Sequence, residues 1–294
     1  MTLPNPIMTA SGTSGHGAEL APYVELGSLG AVVVKSLSAE PYPGNPAPRV
    51  HGTTAGMLNS VGLQGPGVES WLEHDLPPLI AAGARVVASI WGQRVDDFAK
   101  AATMLAHAPP EVVAIEVNVS CPNLEDRSRM FAHSPAATAE AVSASAAGGR
   151  ARWAKLSPNV ADLCEIAGAA LGAGAESLTL VNTVLGLAID VETRAPRLGA
   201  GGGGLSGPAI HPVAVRAVHD CRVAFPGAPI VGVGGVARET DAIELLLAGA
   251  AAVQVGTATF ADPRAPALVL AGVERWCEEH QVARLAELIG AAGG

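Results

Sequence analysis

Cys121 is the residue of this sequence best suited to acid–base chemistry. It lies in the stretch Ala114 to Asn123, Ala-Ile-Glu-Val-Asn-Val-Ser-Cys-Pro-Asn. There an apolar, β-branched run breaks at Asn118 into small polar residues and stops at a proline that cannot continue a ladder. That pattern reads as a strand delivering reactive groups into a loop. A thiol can accept a proton once it is ionised, and Asn118 and Asn123 offer amide donors and acceptors able to fix a flat heterocycle. Alone, the stretch reads equally well as an inert packed cysteine, so the elements around it decide.

Eight short runs rich in Val, Ile or Leu recur along the chain, each followed by small or polar residues and then by helical spacing: Pro6 to Ala10, Ala31 to Lys35, Arg85 to Ile90, Ala114 to Asn118, Arg152 to Leu156, Ser177 to Asn182, Ile230 to Val233 and Ala252 to Gly256. Eight such repeats predict an α/β fold, a closed (β/α)8 TIM barrel. An open doubly wound sheet fits less well, because no glycine-rich phosphate turn followed by an acidic residue comes after the first strand. One domain over residues 1–294, with long loop insertions on the C-terminal rim, is the expectation.

In barrels the C-terminal strand ends carry the chemistry. Here they present Ala10-Ser11-Gly12, Lys35-Ser36, Ser89 to Gly92, Asn118 to Cys121, Lys155, Asn182-Thr183, Gly234-Gly235 and Gly256-Thr257. Two lysines ending apolar strands would be costly if buried without partners, which points to an anionic or electron-rich ligand. The alternative is that both snorkel to solvent. The glycine ends of strands seven and eight leave bare N–H groups for a phosphate. Two connections are unusually long, Leu37 to Gly67 and Thr183 to Gly207, and long rim loops build or cover sites. The glycine run Gly201 to Gly204 in the second reads either as part of that cover or as a floppy feature of no chemical use.

A net charge of −9, with 49% hydrophobic and 15% charged residues, excludes a broad nucleic-acid surface and electrostatic docking on anionic membrane. The four cysteines, Cys121, Cys164, Cys221 and Cys277, lie far apart and suggest no metal or cluster ligation in this chain. Without a signal-like or membrane-length apolar run, a reduced, cytoplasmic protein is expected.

The motifs together resemble the class 1 dihydroorotate dehydrogenases, most of all the catalytic subunit of the NAD-linked subtype. The resemblance rests on Asn5-Pro6, Ala10-Ser11-Gly12, Lys35-Ser36, Gly44 to Arg49, Gly56 to Leu63, Asn118 to Asn123, Lys155 to Asn159, Asn182-Thr183, Gly203 to Ala209, Gly232 to Val236 and Gly249 to Thr257, in family order. It implies an FMN-containing barrel oxidising (S)-dihydroorotate to orotate in pyrimidine synthesis, with Cys121 removing the C5 proton. It also implies that Lys35, Asn59, Ser60, Gly62, Leu63, Asn118, Asn123, Asn182 and Thr183 hold the substrate. For FMN the matching positions are Ala10, Ser11, Gly12, Lys35, Ser36, Ser89, Asn118, Lys155, Val181, Gly207, Gly234, Gly235, Gly256 and Thr257. A homodimer is implied, as is a heterotetramer with a separate subunit carrying FAD and a 2Fe–2S cluster; without that subunit, fumarate or a quinone would take the electrons. Another FMN barrel acting on a different planar amide is the competing enzyme reading, and a barrel that only binds a phosphorylated ligand is the non-enzyme reading.

The sequence departs from the family pattern in three places. The loop Leu124 to Ala132, expected to close over substrate, lacks the family's glycines. Trp91 stands where a small residue is expected. The chain begins close to its first strand, so the barrel floor is expected to be less covered.

Overall fold

Period-two alternation in the eight apolar runs produces a barrel with two separate cores. A computed structural model describes residues 2–126 and 129–293; Met1, Gly294 and the lid residues Arg127 and Ser128 lie outside the described residues. The barrel strands are β1 (Ile7–Thr9), β2 (Val32–Val33), β3 (Val86–Ile90), β4 (Val112–Asn118), β5 (Ala151–Leu156), β6 (Ser177–Leu180), β7 (Ile230–Val233) and β8 (Ala252–Val255). They pair in parallel in the order β1-β8-β7-β6-β5-β4-β3-β2. The ring closes where Met8 bridges Ala31 and the Thr9 N–H donates to the Ala31 carbonyl at 3.3 Å.

Helices α1 (Leu76–Ala81), α2 (Val95–Leu105), α3 (Pro135–Ala144), α4 (Leu163–Gly172), α5 (His211–Ala224), α6 (Glu239–Ala248) and α7 (Ala265–Glu279) wrap the outside. The expected eighth helix is missing among the described residues. Between β1 and β2 there is only a short 3-10 turn, Leu26–Ser28, because Gly12, Gly15, Gly17, Pro22, Gly27 and Gly30 interrupt any helical run.

Outward positions such as Ile7, Val32, Val86 and Ile115 pack under the helices. Inward positions Met8, Val33, Val87, Ala114, Trp153 and Ala252 form a smaller plug inside the barrel. Two residues further along five of these inward faces the character changes to Lys35, Ser89, Glu116, Lys155 and Gln254. Side chains two apart on a strand share a face, so an apolar floor carries a polar layer just beneath the rim. On the opposite side of the floor, a cavity of about 760 Å³ opens among Leu3, Pro6, Trp153 and Leu285.

The two long connections are one structure. Val50–Thr53, Gly56–Asn59, Gly203–Ser206 and Val184–Gly186 build a four-stranded antiparallel sheet across the mouth, with Asn59 opposite Gly204 and Leu58 opposite Leu205. The glycine run is therefore ordered cover. A Cβ on Gly204 would stand 2.1 Å from Thr183 Oγ1, and one on Gly203 would stand 2.4 Å from the Asn59 carbonyl. Gly204→Val is expected to destabilise the protein by about 1–3 kcal/mol through overpacking. Gly227→Ala, where a Cβ meets nothing within 4 Å, is the neutral control in the same urea-unfolding measurement.

Candidate functional site

The polar layer opens into a cavity of about 410 Å³ between the barrel rim and the antiparallel sheet. That size lies within the ordinary range of small-molecule sites. One end is backbone. Gly234 and Gly235 follow β7 with φ of 137° and 74°, conformations side chains rarely adopt. A Cβ on Gly234 would meet Ala214 at 2.8 Å, and one on Gly207 would meet Gly56 Cα at 2.7 Å. Gly256 and Thr257 after β8 complete this wall, and the Thr257 hydroxyl donates to Ser206 at 2.8 Å, tying rim sheet to barrel. Bare N–H groups crowded this closely suit an anion as small as a phosphate.

Below the middle of the cavity lies Lys155. Its ammonium donates to Ser11 Oγ at 2.9 Å and stands 3.6 Å from Glu116 Oε1, with both side chains at 5% exposure or less. Glu116 Oε2 accepts from Gln254 Nε2 at 2.8 Å, while its Oε1 makes no hydrogen bond. The result is a cation held at the cavity floor by a fully buried carboxylate.

The other end is made of amides. Ser89 and Ser36 share a hydrogen bond of 2.8 Å, Asn118 Nδ2 donates to Ser36 at 3.2 Å, and Asn182 Nδ2 donates to Asn118 Oδ1 at 3.2 Å. This chain crosses from β3 to the segment after β6 and fixes which way each amide faces. Asn159 Nδ2 holds the Thr183 carbonyl at 2.9 Å, setting the entry to the rim sheet. Lys35 faces the same space; burial, and next the nearby charge of Arg49, hold its ammonium below the ordinary lysine range. Among the described residues it forms no ion pair with a carboxylate. A cation disfavoured in this way gains from an anionic ligand.

The structure gathers nearly every expected residue on this wall: Ala10, Ser11, Gly12, Lys35, Ser36, Asn59, Ser60, Gly62, Leu63, Asn118, Lys155, Val181, Asn182, Thr183, Gly207, Gly234, Gly235, Gly256 and Thr257. Three stand behind it. Ser89 supports Ser36 from below. Asn123 is 6% exposed on the two-residue pairing of Pro122–Asn123 with Arg129–Met130. Cys121 is fully buried, its S–H directed at the Gly92 carbonyl at 2.9 Å with the Asn118 carbonyl at 3.3 Å. Burial pushes its thiol up to about 12. The end of the loop Leu124 to Ala132 is pinned by Phe131, packed edge-on to Phe98 at 5.3 Å, and by Ala132 N–H donating to the Val119 carbonyl at 2.9 Å.

Several participants are not evident from motifs. Glu116 and Gln254 are single polar letters inside apolar runs, and their signal is two-residue spacing from Asn118 and Gly256. Trp91 fills the end of β3 as a T-shaped partner of Tyr42, centroids 5.0 Å apart, with Gln93 beside them on the wall. Ser120, rather than Cys121, reaches the wall, and its buried hydroxyl lacks a partner.

A (β/α)8 barrel whose rim cavity has glycine turns at one end, a lysine on its floor and amides at the other end is the frame of an oxidoreductase. The chain belongs to the dihydroorotate dehydrogenase family, whose model matches residues 1–276. It is similar to the dihydroorotate dehydrogenase B (NAD(+)) catalytic subunit of Trichlorobacter lovleyi, 45% identical over 295 residues, covering 100% of this chain and 96% of that protein. It is likewise similar to the subunits of the same name from Desulforudis audaxviator, 48% identical over 293 residues (99% and 95%), and Geobacter sulfurreducens, 43% over 292 residues (99% and 95%).

Proposed function

We propose that this chain is a dihydroorotate dehydrogenase of pyrimidine synthesis, oxidising (S)-dihydroorotate to orotate with FMN in the rim cavity. The observation that carries the reading is the presence in one cavity of glycine turns suited to an anion at Gly234, Gly235, Gly256 and Thr257 and, at the other end, a Lys35 among amides with no carboxylate partner among the described residues. FMN fits this donor set. Backbone N–H groups at Gly234, Gly235 and Gly256, with Thr257, would hold its phosphate, and Lys155 would supply positive charge to a flavin's electron-rich pyrimidine end. When bound, FMN accepts the hydride from substrate C6.

The chain's own residues do the rest. Lys35 holds the substrate carboxylate. Asn59, Asn118, Asn182 and Thr183 hold the pyrimidine from the wall and Asn123 joins them by turning toward the cavity, and the asparagine amide N–H groups stabilise the enolate that develops as the C5 proton leaves. Ser60, Gly62 and Leu63 close the wall. Cys121 Sγ takes the C5 proton, for which it must leave the Gly92 carbonyl and ionise.

The words "catalytic subunit" in the relatives' names support a second subunit, for which FAD and a 2Fe–2S cluster are the carriers that would pass electrons to NAD. Exposed Leu185, Leu187, Ile189 and Val191 on the arm after β6, at 55–77% exposure, support a homodimer at the core of the assembly. No helix among the described residues is long and apolar enough to cross a membrane, and we place the enzyme in the cytoplasm.

Anaerobic titration of the yellow protein with dihydroorotate tests the reading. Stoichiometric bleaching of the flavin band is expected. Bleaching by dithionite but not by dihydroorotate rejects the substrate.

A further inference from the structure

The anion grip is braced from behind by a residue outside the expected set. His211 opens α5 and is only 9% exposed. Its Nδ1 lies 2.9 Å from the Gly234 carbonyl oxygen and its Nε2 lies 3.1 Å from Glu244 Oε2, on α6. A backbone carbonyl can only accept, and so can an ionised carboxylate. The Nδ1 facing Gly234 therefore carries the hydrogen of that bond, and the ring is held from its other side by Glu244.

We propose that His211, strapped between Glu244 and Gly234, is a positioning residue that aims the turn at the ligand's phosphate. The proposal rests on the flavin reading above. The C=O of Gly234 and the N–H of Gly235 belong to one peptide plane and point in opposite directions. Anchoring the carbonyl on His211 therefore turns the Gly235 N–H away from α5 and toward the cavity that Gly235 lines. The turn also rests directly on the helix. A Cβ on Gly235 would fall 2.6 Å from His211 Cβ and 2.9 Å from its backbone nitrogen, so the turn has no room to retreat. A hydrogen bond to the carbonyl polarises the peptide and makes the N–H on its far side a stronger donor. Glu244 holds the ring from a side chain 58% exposed, so it orients His211 without touching the cavity.

FMN and riboflavin differ only in the phosphate ester, which separates this role from a general structural one. Binding of each flavin to the apoprotein is followed by fluorescence quenching. His211→Leu is expected to weaken FMN by about twofold to tenfold, the range of a single hydrogen bond, with riboflavin affinity unchanged. His211→Asn, which keeps a donor within reach of Gly234, is expected to recover part of the loss. Glu244→Gln, an exposed change that folding tolerates, should weaken FMN alone by a smaller factor. Equal weakening of both flavins, or wild-type FMN affinity in the His211 and Glu244 variants, overturns the proposal. Wild-type apoprotein that quenches neither flavin overturns the flavin reading itself, an outcome distinct from failure of the brace.

Discussion

Replacing Cys121 with alanine is expected to lower kcat by about 10²–10⁴-fold, the ordinary contribution of a positioned base, while orotate binding and the flavin spectrum stay near wild type. The thiol contributes nothing to the cavity wall in the conformation described, since Ser120 and Asn118 line it instead. Binding should therefore survive while proton removal fails. The pH dependence follows from the same geometry. Burial raises the thiol to about 12, and a base works only when deprotonated. With its ionisation above the working range, the reactive thiolate is a small fraction that grows as pH rises. Turnover by the wild type should climb by about tenfold per pH unit on the acid side of the working pKa, and the limb should vanish in Cys121→Ala. Stopped-flow reduction with dihydroorotate measures both. A profile flat from pH 6 to 9 in the wild type removes Cys121 as the base.

The second large effect is on stability. Glu116→Ala leaves the Lys155 ammonium buried with Ser11 as its remaining partner, and breaking a buried pair on one side costs about 3–5 kcal/mol. Urea unfolding of the apoprotein should show that loss. The double variant Glu116→Leu with Lys155→Met should regain most or all of it, because well-packed apolar replacements of a buried pair are often neutral or stabilising. That recovered protein should not retain FMN as the wild type does. The pair would then be a functional fixture kept at a cost to the fold, and the two single variants with the double one form the cycle that measures their coupling. A Glu116→Ala protein as stable as wild type would mean that the carboxylate does not carry the charge balance of the floor.

How much of this was legible in the amino-acid sequence depends on whether the signal is local. The barrel strands were, because each is a short apolar run ending in a polar or glycine pair, and the observed strands lie on or within about two residues of those runs. The glycine turns at one end of the cavity were legible for the same reason: Gly234-Gly235 and Gly256-Thr257 announce backbone geometry in the letters themselves. The roof was not. Gly204 pairs with Asn59 across 145 positions, and such pairing leaves no periodic trace near either partner, so the glycine run could be read as slack. The helix expected after β1 failed through glycines that break it, a local signal outweighed by the regularity of the other repeats. Cys121 shows a different limit: its residue type and loop were readable, but whether its sulfur faces the cavity or the Gly92 carbonyl is a rotameric matter fixed by packing. His211 and Glu116 acquire meaning only from neighbours on other elements.

Because the roof joins residues 50–59 to residues 184–206, the mouth is unfinished until about two thirds of the polypeptide has emerged from the ribosome. A nascent chain ending before Val184 would carry six barrel strands and most of the amide end, yet offer its ligands an open bowl. The cavity can therefore be roofed only after the second insertion has arrived to meet the first.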